Sequence, residues 1–391
     1  MNSDLAAPGR ETQWPVVLAA GLALMVGAFS LGADNWRAGV LVVVGGLLGV
    51  SLYHGTFGFT AGYRNAILYR DVALAKAQLV MVGLATLLFV PTLAVGEVFG
   101  HPLAGAVAPL GLQVAVGSFL FGIGMQLAGG CGSGTLYTLG GGSTRMIVAL
   151  ATFCVGGFAG SLNMDWWVAA PRWGSISLFE ELGWQGAVVV QAAILALLWL
   201  GLHRWAGDAR QTSLWQGPIG WPRLIAGPWS PLLAAALLAA LNWVTLVIAG
   251  HPWTITWAFT LWGAKAAAGL GWDPAASPFW NTGFPARALS RGVLQDITTI
   301  MDVAIMLGAM TAAGLAGRFA PSARIPLLSL AAAAIGGALM GYGARISFGC
   351  NIGAFFSGAA STSLHGWLWI MCAIPGTWLG IRLRPRFGLK N

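Results

Sequence analysis

The sequence predicts an all-α polytopic membrane protein, about ten transmembrane helices in an inverted structural repeat with re-entrant helical segments, and three observations carry that prediction. Of the 391 residues, 57% are hydrophobic and 8% are charged, and the mean hydropathy is +0.75; in soluble domains charged residues make up about a quarter of the chain. Apolar runs long enough to cross a bilayer recur along the whole length. One stretch occurs twice, as GSFLFGIGMQLAGGCGSG at 117–134 and GGALMGYGARISFGCNIG at 336–353.

Taken in order, the runs lie at 14–31, 38–53, 76–95, 104–128 and 146–162, then at 183–202, 229–248, 298–315, 325–346 and 366–383. That pattern divides the chain into a first transmembrane repeat, 1–182, and a second, inverted one, 183–391. Asp4, Arg10 and Glu11 precede the first run, which is longer than a signal-peptide core and is therefore read as a retained span. Between the second and third run of each set lies a weaker apolar region, 54–68 and 251–270. After each fourth run comes the glycine-cysteine segment. These four pieces are too short or too glycine-rich for full spans.

The two copies align at a shift of 219 residues, the separation of Cys131 from Cys350. Gly117, Leu120, Gly122, Gly124, Gly130, Cys131 and Gly134 then meet Gly336, Leu339, Gly341, Gly343, Gly349, Cys350 and Gly353. Glycine matches are weak signals in a chain with 57 glycines, but only four cysteines are present, so the cysteine match indicates a duplication. The same register extends downstream to Gly157 and Gly376. It leaves Cys154 and Cys372 one residue out of step, a turn of about 100° on a helix, and these two read as packing residues.

Charge sets the expected orientation. The formal charge of +8 is spread over connections and tail without a basic cluster interleaved with aromatics, which argues against nucleic-acid binding. His203, Arg204, Arg210 and Arg223 occupy the mid-chain loop, Arg318 and Arg324 another, and Arg382, Arg384, Arg386 and Lys390 the tail. Placing all three in the cytoplasm satisfies the positive-inside rule, and ten crossings then put both termini there. Glu97, Asp165, Glu180 and Glu181 fall outside, while Arg287 and Arg291 also fall outside and break the rule. With five spans per half the halves insert upside down, the architecture in which transporters build a site from broken helices. The twenty tryptophans suit two membrane interfaces.

The chemistry concentrates at the repeated segment. Four glycines in AGGCGSG oppose a continuous helix at about 1 kcal/mol each, so Gly130, Gly132 and Gly134 predict a break at Cys131. Gly349 and Gly353 predict the same at Cys350, beside Asn351. Gly130 and Gly349 are expected to need positive φ or to leave no room for a side chain. Non-helical backbone is tolerated at membrane depth only where protein covers it or it lines a polar cavity. A single buried cysteine is most often a small core residue; two at equivalent breaks read as a shared path. A thiol in apolar surroundings stays a neutral S–H group, a weak donor that holds an anion loosely. Helix N-termini and glycine-rich backbone N–H groups add donors. Ser133, Thr135, Ser143, Ser357, Ser361 and Ser363 read as further polar contacts or local caps. Arg345 stands five residues before Cys350, where the first copy has Gln126. Arg64, Lys76, Lys265, Arg287 and Arg291 complete the basic residues near membrane depth, functional or snorkelling. The sequence holds no CxxC, P-loop, dinucleotide fingerprint, serine-nucleophile motif or metal-ligand spacing, so neither cofactor nor metal is expected.

The segments at 122–143, GIGMQLAGGCGSGTLYTLGGGS, and 341–358, GYGARISFGCNIGAFFSG, resemble the YeeE/YedE family of bacterial inner-membrane sulfur transporters, to which thiosulfate importers belong. HGTFGFTAGYR at 54–64 and GHPWTITWAFTLWGAK at 250–265 extend the resemblance over both halves. The resemblance implies an hourglass of helices closed at a waist, where thiosulfate passes by transient S–H hydrogen bonding at Cys131 and Cys350. It implies a cytosolic sulfur-carrier protein as a partner. Family members often carry a third cysteine in the first re-entrant segment, and here none precedes Cys131.

The expectation is therefore a multi-pass protein of the bacterial inner membrane that imports a small sulfur-containing anion, thiosulfate first, and not an enzyme. Sulfite, polysulfide or sulfane sulfur, and a selenium analogue are alternative substrates. A membrane thiol-redox protein using the same two cysteines is the alternative class.

Overall fold

A computed structural model describes residues 11–215, 217, 220–322 and 324–391; Asp4 and Arg10, expected before the first span, lie outside them. Helices dominate, and ten helical stretches among the described residues are long and apolar enough to cross a membrane.

In the first half, α1 (Trp14–Asp34) starts with a proline in its first turn and is followed at once by α2 (Trp36–His54), because Asn35 turns the chain and accepts the Arg37 N–H at 3.1 Å. The short α3 (Phe59–Tyr69) precedes α4 (Ala73–Val95), α5 (Leu112–Ala128), the short α6 (Gly132–Gly140), α7 (Arg145–Leu162) and the short α8 (Met164–Ala169). In the second half, α9 (Leu178–Ala206) is kinked at Gly183; α10 (Trp221–Ala226), α11 (Pro231–Ala249), the short α12 (Thr256–Gly269) and α13 (Gly283–Ser290) follow. Then come α14 (Ile297–Leu315), α15 (Leu327–Ile346), a π-wound turn (Asn351–Phe356) that continues as α16 (Ser357–Ala360), and α17 (Leu364–Leu383).

Two run boundaries differ from the apolar pattern for identifiable reasons. The run at 104–128 becomes helical only at Leu112, because β3 (Pro109–Gly111) pairs antiparallel with β4 (Arg172–Ser175), after the small ribbon β1 (Glu97–Val98) and β2 (His101–Pro102). The run starting at Trp229 becomes helix at Pro231, where Ser230 caps the Leu233 N–H. The weaker regions 54–68 and 251–270 contain α3 and α12, as their shorter apolar content implies.

Packing recurs between the halves. α7 lies on α15 and α17 on α5; α2 lies on α14 and α11 on α4; α12 touches α7, and α3 touches α17. Apolar side chains gain little by leaving lipid for protein, so close backbone approach at small residues must hold the helices. A methyl group on Gly308 would run into the Gly46 carbonyl, one on Gly49 into the Ile305 carbonyl, one on Gly156 into Ala338 and one on Gly376 into Phe119. The last two contacts correct the downstream register. Ala338 and Phe119 are equivalent at a shift of 219, but Gly156 and Gly376 are 220 apart. The chain between the cysteine break and the next helix is one residue longer in the second half, so Gly376 answers Gly156 rather than Gly157. Cys154 and Cys372 remain non-equivalent.

The connections gather at two ends. At one end, Gln13 Nε2 donates to the Phe319 carbonyl at 3.0 Å and Thr144 to the Ser322 carbonyl. At the other, Ser177 bridges Ser363, and the Ala106 N–H donates to Ser361 at 2.9 Å. They are called here the tail end and the ribbon end.

Replacing Gly308 with leucine forces side-chain atoms into the α2 backbone and is expected to destabilise the protein by at least about 1–3 kcal/mol, read as a lower thermal midpoint in detergent. An unchanged midpoint would show that this seam is not tightly closed.

Candidate functional site

Both cysteine breaks form by the same local mechanism. α5 ends at Gly129, with φ +87°, and α15 is followed by Phe348, with φ +61°, the residue at the equivalent position. Gly130 leaves little room for a side chain, as expected, since a methyl there would stand 3.0 Å from the Gly134 carbonyl carbon, while the positive φ of this turn falls on Gly129. Gly349 satisfies both expectations, with φ +147° and a methyl position 2.7 Å from the Ala354 nitrogen.

Cys131 and Cys350 then take extended backbone and cap the helices that start at Gly132 and Asn351. Both side chains are buried and free. The Ile352 N–H donates to Cys350 Sγ at 3.4 Å, the Ser133 hydroxyl lies 3.4 Å from Cys131 Sγ, and the Thr135 hydroxyl donates to the Cys131 carbonyl at 2.8 Å. A methyl group on Gly132 would stand 3.1 Å from Cys350 Sγ and 3.5–3.6 Å from methyls of Ile255 and Thr256. Thus the starts of α6, of the helix after Cys350 and of α12 meet at one point. A helix start presents free N–H groups and the positive end of its dipole, so this convergence favours a bound anion. Gly134 lies beside the Cys131 sulfur, a methyl there being 3.6 Å away, and Gly353 beside Thr254, at 3.1 Å by the same measure.

Asn351 is fully buried; its amide donates to the Tyr63 hydroxyl at 3.3 Å and its carbonyl oxygen has no partner. Tyr63 comes from the segment in which the family resemblance would place a third cysteine, and Tyr137 of α6 presents its hydroxyl to Gly58, a methyl there being 3.1 Å away. The phenols were not legible as site residues, since an aromatic in an apolar stretch is ordinarily core. Of the hydroxyls, Ser357 donates to the Trp253 carbonyl at 2.8 Å and accepts from Asn242, and Ser361 caps Ala106. They act as local braces.

Basic residues stand on the tail-end side. Arg145 donates to the Leu127 carbonyl at 2.7 Å and to that of Ala128, Arg384 donates to the Gln126 carbonyl at 2.7 Å, and Arg64 donates to Gln126 Oε1 at 3.5 Å. Arg145 and Arg384 satisfy the last carbonyls of α5, and with Arg64 they concentrate positive charge there. Arg145 borders a cavity of about 460 Å³ at the tail end that reaches Tyr137 and Tyr53. Arg345 lies in the last turn of α15, half-buried, with its guanidinium carbon 4.9 Å from the centre of the Phe279 ring and its Nε without a partner. The sequence placed it near the thiol; the structure directs its end toward the aromatic ring. Lys265 donates to the Leu289 and Arg291 carbonyls at 2.7 and 2.6 Å, and Lys76 contacts His203 and the Trp199 ring, so both serve packing. Arg287 and Arg291 sit on and after α13, away from the cysteines in the chain. Asp302, missed by the charge survey, is an acid inside the apolar run 298–315, which is itself the signal that should have marked it.

Comparison with known proteins agrees with this architecture. Residues 54–379 match the family described as sulphur transport. The chain is 29% identical over 356 residues to the thiosulfate transporter TsuA of Spirochaeta thermophila, covering 86% of this chain and 96% of that protein. It is 26% identical over 364 residues to the thiosulfate transporter TsuA of Escherichia coli, covering 88% and 95%. A 157-residue stretch is 31% identical to the probable transporter YedE of Escherichia coli, covering 39% and 37%. The family match includes both cysteine breaks and the helices that flank them, and the chain belongs to the sulphur-transport family, as a multi-pass membrane transporter and not an enzyme.

Proposed function

We propose that this protein imports thiosulfate across the bacterial inner membrane through a path whose waist is formed by Cys131 and Cys350. The observation that carries the reading is the meeting of two cysteine-capped helix starts across Gly132. Each thiol offers a soft, polarizable contact and a weak donor, while the helix N-termini supply positive potential without a fixed cation that would hold the anion too tightly. The names of the relatives that cover most of the chain support thiosulfate as the ligand.

The recurring contacts of the two halves support an inverted repeat of 1–182 and 183–391, since each half supplies five crossings. Both termini lie in the cytoplasm, so the tail end faces inward and the ribbon end outward. The anion passes Arg345 on the outer side and leaves past Arg145, Arg64 and Arg384. A cytosolic sulfur-carrier protein receives the sulfur species at the tail end. Gly130, Gly132, Gly134, Gly349, Gly353 and Asn351 shape the waist.

Cys131→Ala and Cys350→Ala are expected to lower uptake of labelled thiosulfate at least tenfold at equal membrane levels, with serine variants intermediate, while Cys154→Ala and Cys372→Ala transport normally. Full transport by the double serine variant would remove the cysteines from the path. Thiol trapping of resting protein should find both waist cysteines reduced; a Cys131–Cys350 disulfide that cycles with substrate would instead identify a redox protein.

Arg345→Gln is expected to raise the apparent KM several-fold and to change maximal rate less, because the charge acts before the waist. Equal uptake at limiting thiosulfate would make the arginine an interfacial anchor.

A reporter fused after Asn391 is expected to be active only in its cytoplasmic form. An external signal there would overturn the sidedness.

A further inference from the structure

Asp302 stands in the second turn of α14, is fully buried, and neither carboxylate oxygen has a hydrogen-bond partner. An ionised carboxylate enclosed in a low-dielectric interior without a partner is too costly to persist, so the group there carries a proton. Trp262 of α12 donates to the Thr299 hydroxyl, one turn from Asp302, at 3.0 Å, so α12, whose start meets the two cysteine-capped helices at Gly132, packs along this part of α14.

The elements packed against α14 bring it no counter-charge. On α2, Gly45 stands against Met301 and Ala304, so Asp302 is level with the middle of that helix, and Arg37, Tyr53 and His54 lie near its ends. α1 contributes only Asp34, at its last position. α6 carries Tyr137, α10 carries Arg223, and Lys265 of α12 gives its ammonium to two carbonyls near α13. None hydrogen-bonds Asp302. The other acid of this element is its cap, Asp296.

Asp296 also supplies a route. It caps α14, is only partly buried, and accepts the Thr299 hydroxyl at 3.0 Å. Asp296, Thr299 and Asp302 follow one another at three-residue steps, so each is a neighbour of the next on the helix surface. The ladder leads from the outer end of α14 to the buried acid.

We propose that Asp302 is the proton site of a proton-coupled anion transporter, loading from the Asp296 end of the bundle and discharging at the other, so that an anion crosses together with a proton. The step is one of simple balance: the carboxylate gains H⁺ to become the acid and loses it on the far side, with no other bond made or broken. A metal cation needs several converging oxygens, whereas Asp302 has no polar partner and among the described residues no group of His, Cys, Asp or Glu is arranged to hold one. A proton needs only the carboxylate. A proton taken up with a divalent anion also lowers the net charge moved against an interior-negative potential. The inference rests on the proposed anion transport.

The test is uptake of labelled thiosulfate into proteoliposomes with the membrane potential clamped at zero. With one proton per anion, an inward gradient of one pH unit should raise the equilibrium accumulation about tenfold, since one pH unit is a tenfold ratio of proton activity. Adding thiosulfate should make the outer medium alkaline, read by a pH dye. Asp302→Asn should abolish gradient-driven accumulation and the alkaline signal, while Asp302→Glu should retain both. Wild-type thiosulfate entry indifferent to the gradient, accumulation by Asp302→Asn equal to wild type, or driving by a sodium gradient instead would overturn the proton site and leave the transport reading standing. Absence of any thiosulfate entry by the wild type would overturn the transport reading, and the proton site with it.

Discussion

The structure depends on the rule that backbone N–H and C=O groups inside a bilayer must find partners within the protein. A helix may stop at membrane depth only if its last carbonyls and the next helix's first N–H groups are taken up. At the end of α5, side chains of Arg145 and Arg384 accomplish this for Gln126, Leu127 and Ala128. At the end of α15, the Ser347 hydroxyl donates to the Gly343 carbonyl at 2.7 Å and accepts from Trp369 at 3.0 Å. The same break is therefore braced by charge in one half and by neutral groups in the other. Fixed positive charge thus gathers on the last carbonyls of α5 and not on those of α15, on the side by which the anion is proposed to leave.

The glycine content follows from the other half of the same constraint. Association in lipid relies on close contact and backbone approach. The seams between α2 and α14, between α5 and α17 and between α7 and α15 are lined by glycines whose missing methyl would meet backbone atoms of the neighbour. These seams form a close-packed frame that holds the two helix starts in register at the centre. Tyr63 and Asn351 add a polar contact across the halves, 3.3 Å long.

Charge inside the protein is distributed with similar economy. The buried acid Asp302 has no partner, and Arg345 on α15 rests against an aromatic ring. Residues placed without compensation within a membrane are maintained by function more often than by packing. The two proposals use them differently, Arg345 to gather anions and Asp302 to carry a proton.

The class of fold was settled by composition and by the length of the apolar runs, because a bilayer demands about twenty apolar residues per crossing and no soluble core does. The duplicated glycine-cysteine segment likewise marked both breaks, since glycines clustered around one cysteine, four in the first copy and two in the second, oppose a continuous helix. What the linear pattern could not supply was spatial. It left open which glycine takes positive φ, a role that falls to Gly129, carried the repeat register one residue too far, and began an apolar run at 104 where helix starts only at Leu112, after a short ribbon. Tyr63 gains its meaning from a neighbour distant in sequence, its partner Asn351 standing 288 residues away. Local glycine and hydrophobic content is written along the chain; which polar groups meet at the centre is decided only when the seams close, because hydrogen bonding and electrostatics at the centre depend on distances that packing alone fixes.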